Sequence, residues 1–375
     1  MAVHEQISER DAYIALNMMS DIGPVGVRAL VRALGSAAEV FAADGSAIRS
    51  VPGIGRPQVE AVLRQRGEVD WRREIERSMA MGLSIVTPLD GDYPERLRTI
   101  HDPPLALYVK GRFSDRDRHA LAVVGTRHPS HYGRDCSERF AMAFSRMGYS
   151  VISGLAEGVD TVAHAAVLKV GGRTIGVLGG GFGHFFPASN MALAERMAAE
   201  GAVLSELPLD RAPDKTTFPM RNRIVSGMSD GVLVVEAGAN SGALITARMA
   251  CEQGRPVFAV PGRIDSAQSA GCHALIRDGA VLVRSPDDVL GEFEGLFAKP
   301  VGAAASTVPP RPALSPDEER IVAIVGGSQR GVDEVIRESG LPASAVSGIL
   351  IGLEMKRLVR MLPGRVVAPA TPAAG

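Results

Sequence analysis

The sequence predicts an α/β protein built on an extended Rossmann-like, doubly wound and mostly parallel sheet. The sheet is predicted to lie between a helical N-terminal domain and a C-terminal winged helix. Strand-like and helix-like segments alternate from about residue 83 to 295, the pattern of a parallel sheet covered by helices. Amphipathic segments with glycine turns precede this region, and three helical segments with a short hairpin follow it.

Residues 1–81 are predicted to form a small helical domain. Apolar residues recur at helical spacing in "DAYIALNMM" and "VGVRALVRAL". The glycine-containing turns "DIGPVG" (21–26) and "VPGIG" (51–55) each join two helices. In helix–hairpin–helix domains such turns let backbone amides approach a DNA phosphate, but similar pairs also serve only as packing modules. Both interpretations remain open from the sequence.

Residues 82–297 are predicted to form the Rossmann-like domain. Several of its strand candidates are nearly continuous in Val, Ile, Leu and Ala, as expected for strands buried on both faces. Helical patterns lie between most of them, for example at 137–148 and 243–254. The candidate strands are 83–87, 105–109, 120–126, 149–153, 173–179, 202–206, 231–237, 256–260 and 280–283.

An Ala- and Pro-rich stretch at 298–313 is predicted to be a linker. Residues 314–369 are predicted to form a folded domain. Ser315 and Pro316 can cap and begin a helix that has acidic residues in its first turn. Two more helical segments and a hairpin around "LPGR" complete the winged-helix pattern.

Composition restricts the class of protein. The net charge is −1, so any nucleic-acid binding must use a local basic patch. The three cysteines are scattered without a CxxC pair, which favours a reducing compartment and gives no zinc site. We expect no signal peptide, because the N-terminus lacks an apolar core. No apolar run approaches the roughly 20 residues of a membrane-spanning helix. The sequence therefore predicts a cytoplasmic protein.

Glycine-rich and polar loops follow the predicted strands. Because the carboxyl ends of parallel strands share one edge of the sheet, these loops should converge there. Free amides at helix starts bind anions, and an arginine adds a planar cation suited to phosphate oxygens. The sequence therefore predicts a phosphate site formed by Gly125, Thr126, Arg127, Ser153, Gly154, Ser241 and Gly242.

A basic cluster with an aromatic residue lies in "DKTTFPMRNRIVSGMSD" (214–230). Cations suit a charged backbone, and an aromatic face suits an unstacked base, so the cluster favours a single strand over a duplex. A solvated helix start with the aromatic ring in the core remains the alternative. The candidate residues are Lys215, Phe218, Arg221, Asn222 and Arg223.

The motifs give no cofactor and no catalytic set. "VVGTRHPSHYG" lacks the G-x-G-x-x-G fingerprint, which argues against NAD. Asp160 and His164 lie four residues apart on a helix, and a structural hydrogen bond is favoured over a metal pair because no third ligand is evident. Glu206 and Glu236 end strands. They could act as general bases, cap neighbouring loops or orient an arginine.

Taken together, the motifs resemble the DprA/Smf family (DNA-processing protein A). The resemblance covers about residues 83 to 284. The motifs that carry it are "DYPERLRTIHDPPLALYVKG", "VVGTRHPSHYG", "SGLAEGVDTVAHAAVL", "TIGVLGGG", "LSELP", "FPMRNRIVSGMSDGVLVVEAGANSGALITARMACEQGRPVFAVPG" and "GCHALIRDGA". The flanks resemble the family by architecture, with an N-terminal domain of SAM or helix–hairpin–helix type and a C-terminal winged helix.

The resemblance implies a non-catalytic homodimer that binds single-stranded DNA, protects incoming DNA in natural transformation and helps to load the recombinase RecA. By motif match, the DNA site would comprise the same residues that the strand-end loops and the basic cluster supply. One departure lies in "GGGFGHFFPASN". The family usually has an acidic residue near His184 and a tyrosine before Pro187, where this chain has Phe186.

Two alternatives belong to other classes of protein. Nucleotide phosphoribohydrolases share this kind of fold and carry a P-G-G-x-G-T-x-x-E loop. The corresponding "EAGANSGALITA" lacks a glutamate four positions into the helix. A transcription factor could instead use the winged helix, but the third helix, "ASAVSGILIGLEMKR", has few base-reading side chains before Lys356 and Arg357. This favours a structural or partner-binding module.

Overall fold

The computed structural model describes residues 7–293 and 314–369, apart from residues 327, 357 and 363. The described residues fall into two compact units that divide near residue 304. The predicted linker at 298–313 and Arg357 lie outside the described residues. The boundary predicted between residues 81 and 82 stays a prediction, because the helical segment and the sheet share one unit.

The first unit is a nine-stranded sheet with helices along it. Its helices are Glu9–Met18 (α1), Pro24–Leu34 (α2), Ala37–Ala42 (α3), Gly45–Arg49 (α4), Arg56–Gln65 (α5), Trp71–Ala80 (α6), Glu95–Arg98 (α7), His131–Arg146 (α8), Val159–Lys169 (α9), Met191–Glu200 (α10), Thr217–Gly227 (α11), Gly242–Glu252 (α12), Ala270–Arg277 (α13) and Pro286–Gly291 (α14). Its strands are Ser84–Val86 (β1), Leu107–Gly111 (β2), Ala120–Val124 (β3), Ser150–Ser153 (β4), Thr174–Val177 (β5), Ala202–Ser205 (β6), Gly231–Val234 (β7), Val257–Ala259 (β8) and Val281–Leu282 (β9).

All nine predicted strands form, and the sheet is mostly parallel, as predicted. The strand order is β1-β2-β6-β5-β4-β3-β7-β8-β9. Only the pairs β1–β2 and β2–β6 are antiparallel. The five strands β3 to β7 are buried along their whole length, which explains their continuous aliphatic sequences. The doubly wound prediction is confirmed.

The strand order places a topological switch point between β3 and β7. From β3 the chain winds outward through β4 to β6, and it then returns to β7 and winds in the opposite direction. Val124 and Val234 are partners at the carboxyl ends of these two neighbouring strands. Crossover connections diverge at such a point and leave a crevice beyond the strand ends, where ligands bind in open α/β sheets.

The N-terminal helices pack against the antiparallel edge of the sheet. Ile14 of α1 is buried in a cluster with Tyr108 of β2 and Leu209. The Asn17 amide donates to the Glu206 carbonyl at 2.8 Å, and the Glu74 carboxylate accepts from the Leu209 amide at 2.7 Å. The helical segment therefore covers a sheet edge that would otherwise expose apolar residues.

The second unit is a winged helix, as predicted. Its helices are Pro316–Val325 (α15), Val332–Ser339 (α16) and Ala343–Met355 (α17), and its strands are Arg330–Gly331 (β10), Val359–Leu362 (β11) and Val366–Pro369 (β12). Ser315 and Glu318 form a capping box at the start of α15. Across residues 7–293 and 314–369, no helix is long and apolar enough to span a bilayer.

Candidate nucleic-acid interface

A cavity of about 490 Å³ opens at the switch point, beyond the carboxyl ends of β3 and β7. It is lined by the loops that follow three strands, β3, β4 and β7, together with residues of α9, α11 and α12. Nine of the residues predicted for the site line it: Gly125, Thr126, Arg127, Gly154, Phe218, Arg221, Asn222, Ser241 and Gly242. Residues from loops that lie far apart along the chain, which the sequence predicts to converge, therefore line one cavity.

One wall of the cavity is the N-terminus of α12. Ser241 is its N-cap and accepts a hydrogen bond from the Ala243 amide at 3.3 Å. No acidic residue occupies the first turn. The positive end of the helix dipole therefore faces the cavity without a side-chain carboxylate in that turn to neutralise it, an arrangement that favours an anion.

The loop that carries Arg127 is fixed by Glu236. The Thr126 amide donates to the Glu236 carbonyl at 2.7 Å. The Glu236 carboxylate accepts from the amide and hydroxyl of Ser130, at 2.9 and 2.5 Å. Ser130 in turn caps α8. Of the roles left open for Glu236, the structure shows that of capping a neighbouring loop.

Arg127 and Phe218 form the mouth of the cavity. The Arg127 guanidinium carbon lies over the Phe218 ring, 5.4 Å from its centroid. Arg127 is exposed and Phe218 is half-buried. Arg127 has no ion pair with any carboxylate of the described residues, so its charge is available to a ligand. A cation held on an aromatic face next to a helix N-terminus suits a phosphate with an attached base.

Arg221 forms the floor of the cavity. It is buried and donates to the carbonyls of Gly154 and Val177. Burial lowers the Arg221 pKa to about 10, opposed by Asp160 and reinforced by Arg127. The guanidinium therefore remains charged at neutral pH. Gly154 is required for this approach, because an added Cβ would lie 2.6 Å from the Arg221 guanidinium.

The structure places three predicted site residues outside the cavity lining. Ser153 is buried and donates to the Val123 carbonyl at 2.6 Å. Lys215 is exposed just before α11. Arg223 lies away from the cavity: it pairs with Glu206 at 2.5 Å and with Asp102 at 2.7 Å, and its side chain is 5% exposed. We correct the interpretation of Arg223 accordingly, since its charge is already neutralised.

Sequence reasoning missed four polar residues of the lining, His128, Asp160, Asn240 and Thr246. Asn240 directly precedes the N-cap of α12, and Thr246 lies four residues after Gly242, one helical turn further. The helical period carries Thr246 to the same face as Gly242. The four-residue spacing from Gly242 is therefore the sequence feature from which Thr246 could be predicted.

His164 behaves as a structural residue. It is buried, and its Nδ1 lies 2.7 Å from the Thr174 hydroxyl. That hydroxyl donates to the Val151 carbonyl, so Nδ1 is the protonated nitrogen. His164 therefore makes a structural hydrogen bond, but with Thr174 rather than with Asp160, which instead accepts from the Ala156 amide at 3.2 Å. No group of three potential metal ligands occurs within the described parts of the chain.

His164 should make the fold acid-sensitive. Burial, and then Arg221, lower its pKa from 6.5 to about 3, so the unfolded chain binds a proton that the folded chain excludes. The contribution of His164 to the free energy of unfolding is therefore fully present above pH 6.5, and it is lost progressively as the pH falls towards 3. Between pH 7 and pH 4 we expect wild type to lose roughly 3 kcal/mol more stability than His164→Gln. Urea unfolding at both values measures this difference, because all other titrating groups are common to both proteins. An equal loss would contradict the assignment.

Two family models match this chain. The model of DNA recombination-mediator protein A matches residues 84–294, and the DprA winged helix domain matches residues 305–365. The chain belongs to the DNA recombination-mediator protein A (DprA/Smf) family. The resemblance seen in the motifs is thereby confirmed, and the first match spans the whole sheet and its cavity.

Curated relatives of the DprA/Smf family match most of the chain. Protein Smf of Synechocystis is 32% identical and covers 95% of this chain and 98% of its own length. Protein Smf of Escherichia coli is 40% identical over 75% of this chain and 76% of its own length. DNA processing protein DprA of Bacillus subtilis is 39% identical over 64% of this chain and 82% of its own length.

Two solved DprA structures share the fold. DNA processing protein A of Streptococcus pneumoniae gives a TM-score of 0.67 at 34% identity and covers 78% of this chain and 100% of its own. The Helicobacter pylori protein, solved to show its single-stranded DNA binding mode, gives a TM-score of 0.51 at 27% identity. It covers 58% of this chain and 97% of its own.

The DprA winged helix of this chain presents a surface with few polar groups on α17. The exposed residues of this helix are small or apolar apart from one acid, and Ile351 is 60% exposed. Arg, Asn and Gln, the side chains that give bidentate contacts to purines, are absent from the described surface of α17. The surface therefore suits a structural or partner-binding role better than base readout. The exposed residues are Ala343, Ser344, Ala345, Ser347, Gly348, Ile351 and Glu354.

Proposed function

We propose that this chain binds single-stranded DNA, without catalysis, through the cavity at the carboxyl edge of its sheet. The observation that carries the proposal is Arg127, exposed and without an ion pair among the described residues, lying over Phe218 at the mouth of that cavity. Such a pair can hold a phosphate and the adjacent base at the same time. Membership of the DprA/Smf family and the single-stranded DNA binding mode of the H. pylori protein support the same ligand.

The geometry favours a single strand over a duplex. The Phe218 ring can stack only on a base that is not already paired and stacked. The few cationic groups at the mouth lie close together. A flexible single-stranded backbone can follow a groove and bring individual phosphates to them. We expect little sequence preference, because every base has a stacking face.

The carboxylates that follow the strands at this edge of the sheet support a binding role rather than hydrolysis of a nucleotide. Glu236 accepts hydrogen bonds from Ser130, and Glu206 pairs with Arg223. Asp160 is buried next to Arg221. Each is engaged in holding the structure together. An assay for release of free base from AMP tests the phosphoribohydrolase alternative, and we expect no turnover. Turnover in wild type that disappears in Arg127→Ala would favour that alternative.

We further propose the finer roles that family membership implies. The chain would act in the cytoplasm as a homodimer, protect incoming single strands and help to load RecA. A two-fold dimer could join two cavities into one longer groove. Nuclease protection of an oligonucleotide, RecA filament assembly on coated single strands and the sedimentation mass test these roles separately. A monomer with no effect on RecA would leave only the binding function.

Single-strand selectivity is the direct test of the binding function. The full chain should bind a fluorescent oligo-dT more tightly than a duplex of equal length, and salt should weaken the binding strongly. A chain that ends at residue 300 should keep this affinity, because the proposed site lies in the first unit. Equal binding of duplex and single strand, or loss of all affinity on truncation, would contradict the proposal.

Lys215→Ala should weaken oligo-dT binding by a few-fold. Lys215 is exposed just before α11 and has no ion pair within the described structure, so it can contact a phosphate next to the cavity. Loss of one contact should lower the slope of log affinity against log salt by about 0.7. Lys169→Ala is the matched control, because Lys169 already pairs with Glu138 at 2.7 Å. An identical effect of both changes would exclude a specific role for Lys215.

A further inference from the structure

We propose that Phe186 forms a second base-stacking subsite beside Phe218, so that two bases of a single strand are held on neighbouring aromatic rings. This inference rests on the proposed single-strand binding and names a residue that the motif match left without a role. It assigns the ligand class as an unpaired nucleobase of any sequence.

The two rings form one aromatic surface. The centroids of Phe186 and Phe218 are 6.1 Å apart, and their planes are inclined by 54°. Phe218 is half-buried and has Arg127 over its ring. Phe186 is 51% exposed. Of the two rings, Phe186 therefore offers the larger free face, and it lies directly next to the residue proposed to meet the first base.

The loop that carries Phe186 is anchored, so the exposed position of the ring is fixed by the fold. Phe185, the preceding residue, packs against a buried cluster that includes Leu155 and Met197. Pro187, the following residue, is buried. Asn190 is buried and donates to the Leu155 carbonyl at 2.9 Å and to the Thr161 hydroxyl at 2.9 Å. With its neighbours held on both sides, Phe186 is directed to solvent beside the cavity.

The glycine-rich start of this loop allows the Phe218 ring to pack closely against it. A Cβ added to Gly179 would lie 2.6 Å from the Phe218 ring. Only a glycine therefore lets Phe218 lie against the end of β5. The segment "GGGFGHFF" thus makes room for the Phe218 ring at its start and carries the exposed Phe186 ring at its end.

Stacking is the interaction that this surface can offer. A phenyl ring has no hydrogen-bonding group, so Phe186 cannot select a base by its edge. Base–aromatic stacking tolerates all sequences and depends little on salt, in contrast to a phosphate contact. The predicted signature is a loss of affinity at an unchanged salt slope.

The test compares Phe186→Leu and Phe186→Tyr in the full chain, with oligo-dT as the probe. Phe186→Leu should weaken binding by about fivefold or more and leave the salt slope unchanged. Phe186→Tyr keeps the ring and should bind as wild type does. Met191→Ala is the matched control, because Met191 is a similarly exposed apolar residue at the start of α10. Near-ultraviolet circular dichroism establishes that each variant is folded.

A fluorescence measurement reports stacking directly. Trp71 is the only tryptophan, so Phe186→Trp in a Trp71→Phe background places a single reporter at the subsite. Oligo-dT should quench its emission, and an oligomer of abasic sites with the same charge should not.

The outcomes separate the subsite from the binding function. Wild-type affinity in Phe186→Leu together with weakened binding in Arg127→Ala would overturn the subsite and leave the proposed function standing. Weak binding in Phe186→Tyr as well, or equal quenching by abasic DNA, would also overturn the subsite. Absence of single-strand binding in wild type would instead overturn the proposed function.

Discussion

Replacing Arg127 by alanine should weaken oligo-dT binding about tenfold or more at moderate salt and lower the salt slope by about 0.7. Arg127 is exposed at the mouth of the cavity, lies over Phe218 and has no ion pair with the described carboxylates. The change removes both the proposed phosphate contact and the cation that lies over the Phe218 ring. Fluorescence anisotropy titrations at several salt concentrations measure both quantities.

Arg248→Ala provides the control for Arg127→Ala. Arg248 is an exposed arginine of α12 that pairs with Glu252 one helical turn away. Its loss removes the same charge from the chain, so the overall field changes equally. Its binding curve should match that of wild type. The assignment of Arg127 fails if the two variants bind alike at every salt concentration.

Replacing Arg223 by alanine should lower the free energy of unfolding of the first unit by about 3–5 kcal/mol. Burial lowers the Arg223 pKa, but Glu206 and then Asp102 outweigh it and hold the pKa above its ordinary value. The variant leaves the Glu206 carboxylate buried with its charge uncompensated, since Glu206 is only 8% exposed. Urea unfolding followed by the fluorescence of Trp71, which lies in this unit, reports the change.

A second substitution distinguishes a structural ion pair from a DNA contact at Arg223. Arg223→Met combined with Glu206→Gln removes both charges, and it should recover a large part of the lost stability. The folded double variant should bind oligo-dT with the salt slope of wild type. A reduced slope in that protein, or an unchanged stability in Arg223→Ala, would return Arg223 to the DNA site.

The sheet could be predicted from the sequence because its signals are local. Each central strand is a short aliphatic run between polar loops, as in β3 and β7. Glycines and hydroxyls follow the same strands, and parallel strands bring their carboxyl ends together whatever their order. For this reason Gly125, Gly154 and Ser241 could be placed at one edge without knowledge of the strand order.

The direction of each side chain was harder to predict. Arg221 and Arg223 lie two residues apart on α11, about 200° around the helix, so only one of them can face the cavity. The sequence alone gives no indication of which one, because the partners of Arg223 are Glu206 and Asp102, which are distant in the chain. The role proposed for Phe186 is not evident from the sequence for a similar reason, since Phe186 and Phe218 are distant in the chain and meet only in the fold.

Photo-crosslinking of the full chain to oligo-dT that carries 4-thiothymidine tests the location of the DNA most directly. A base stacked at the cavity mouth should crosslink to the segment that contains Phe218, and Arg127→Ala should reduce the yield at low protein concentration. Crosslinks confined to the exposed surface of α17, or to the glycine turns at 21–26 and 51–55, would show that the DNA lies elsewhere and would contradict the account.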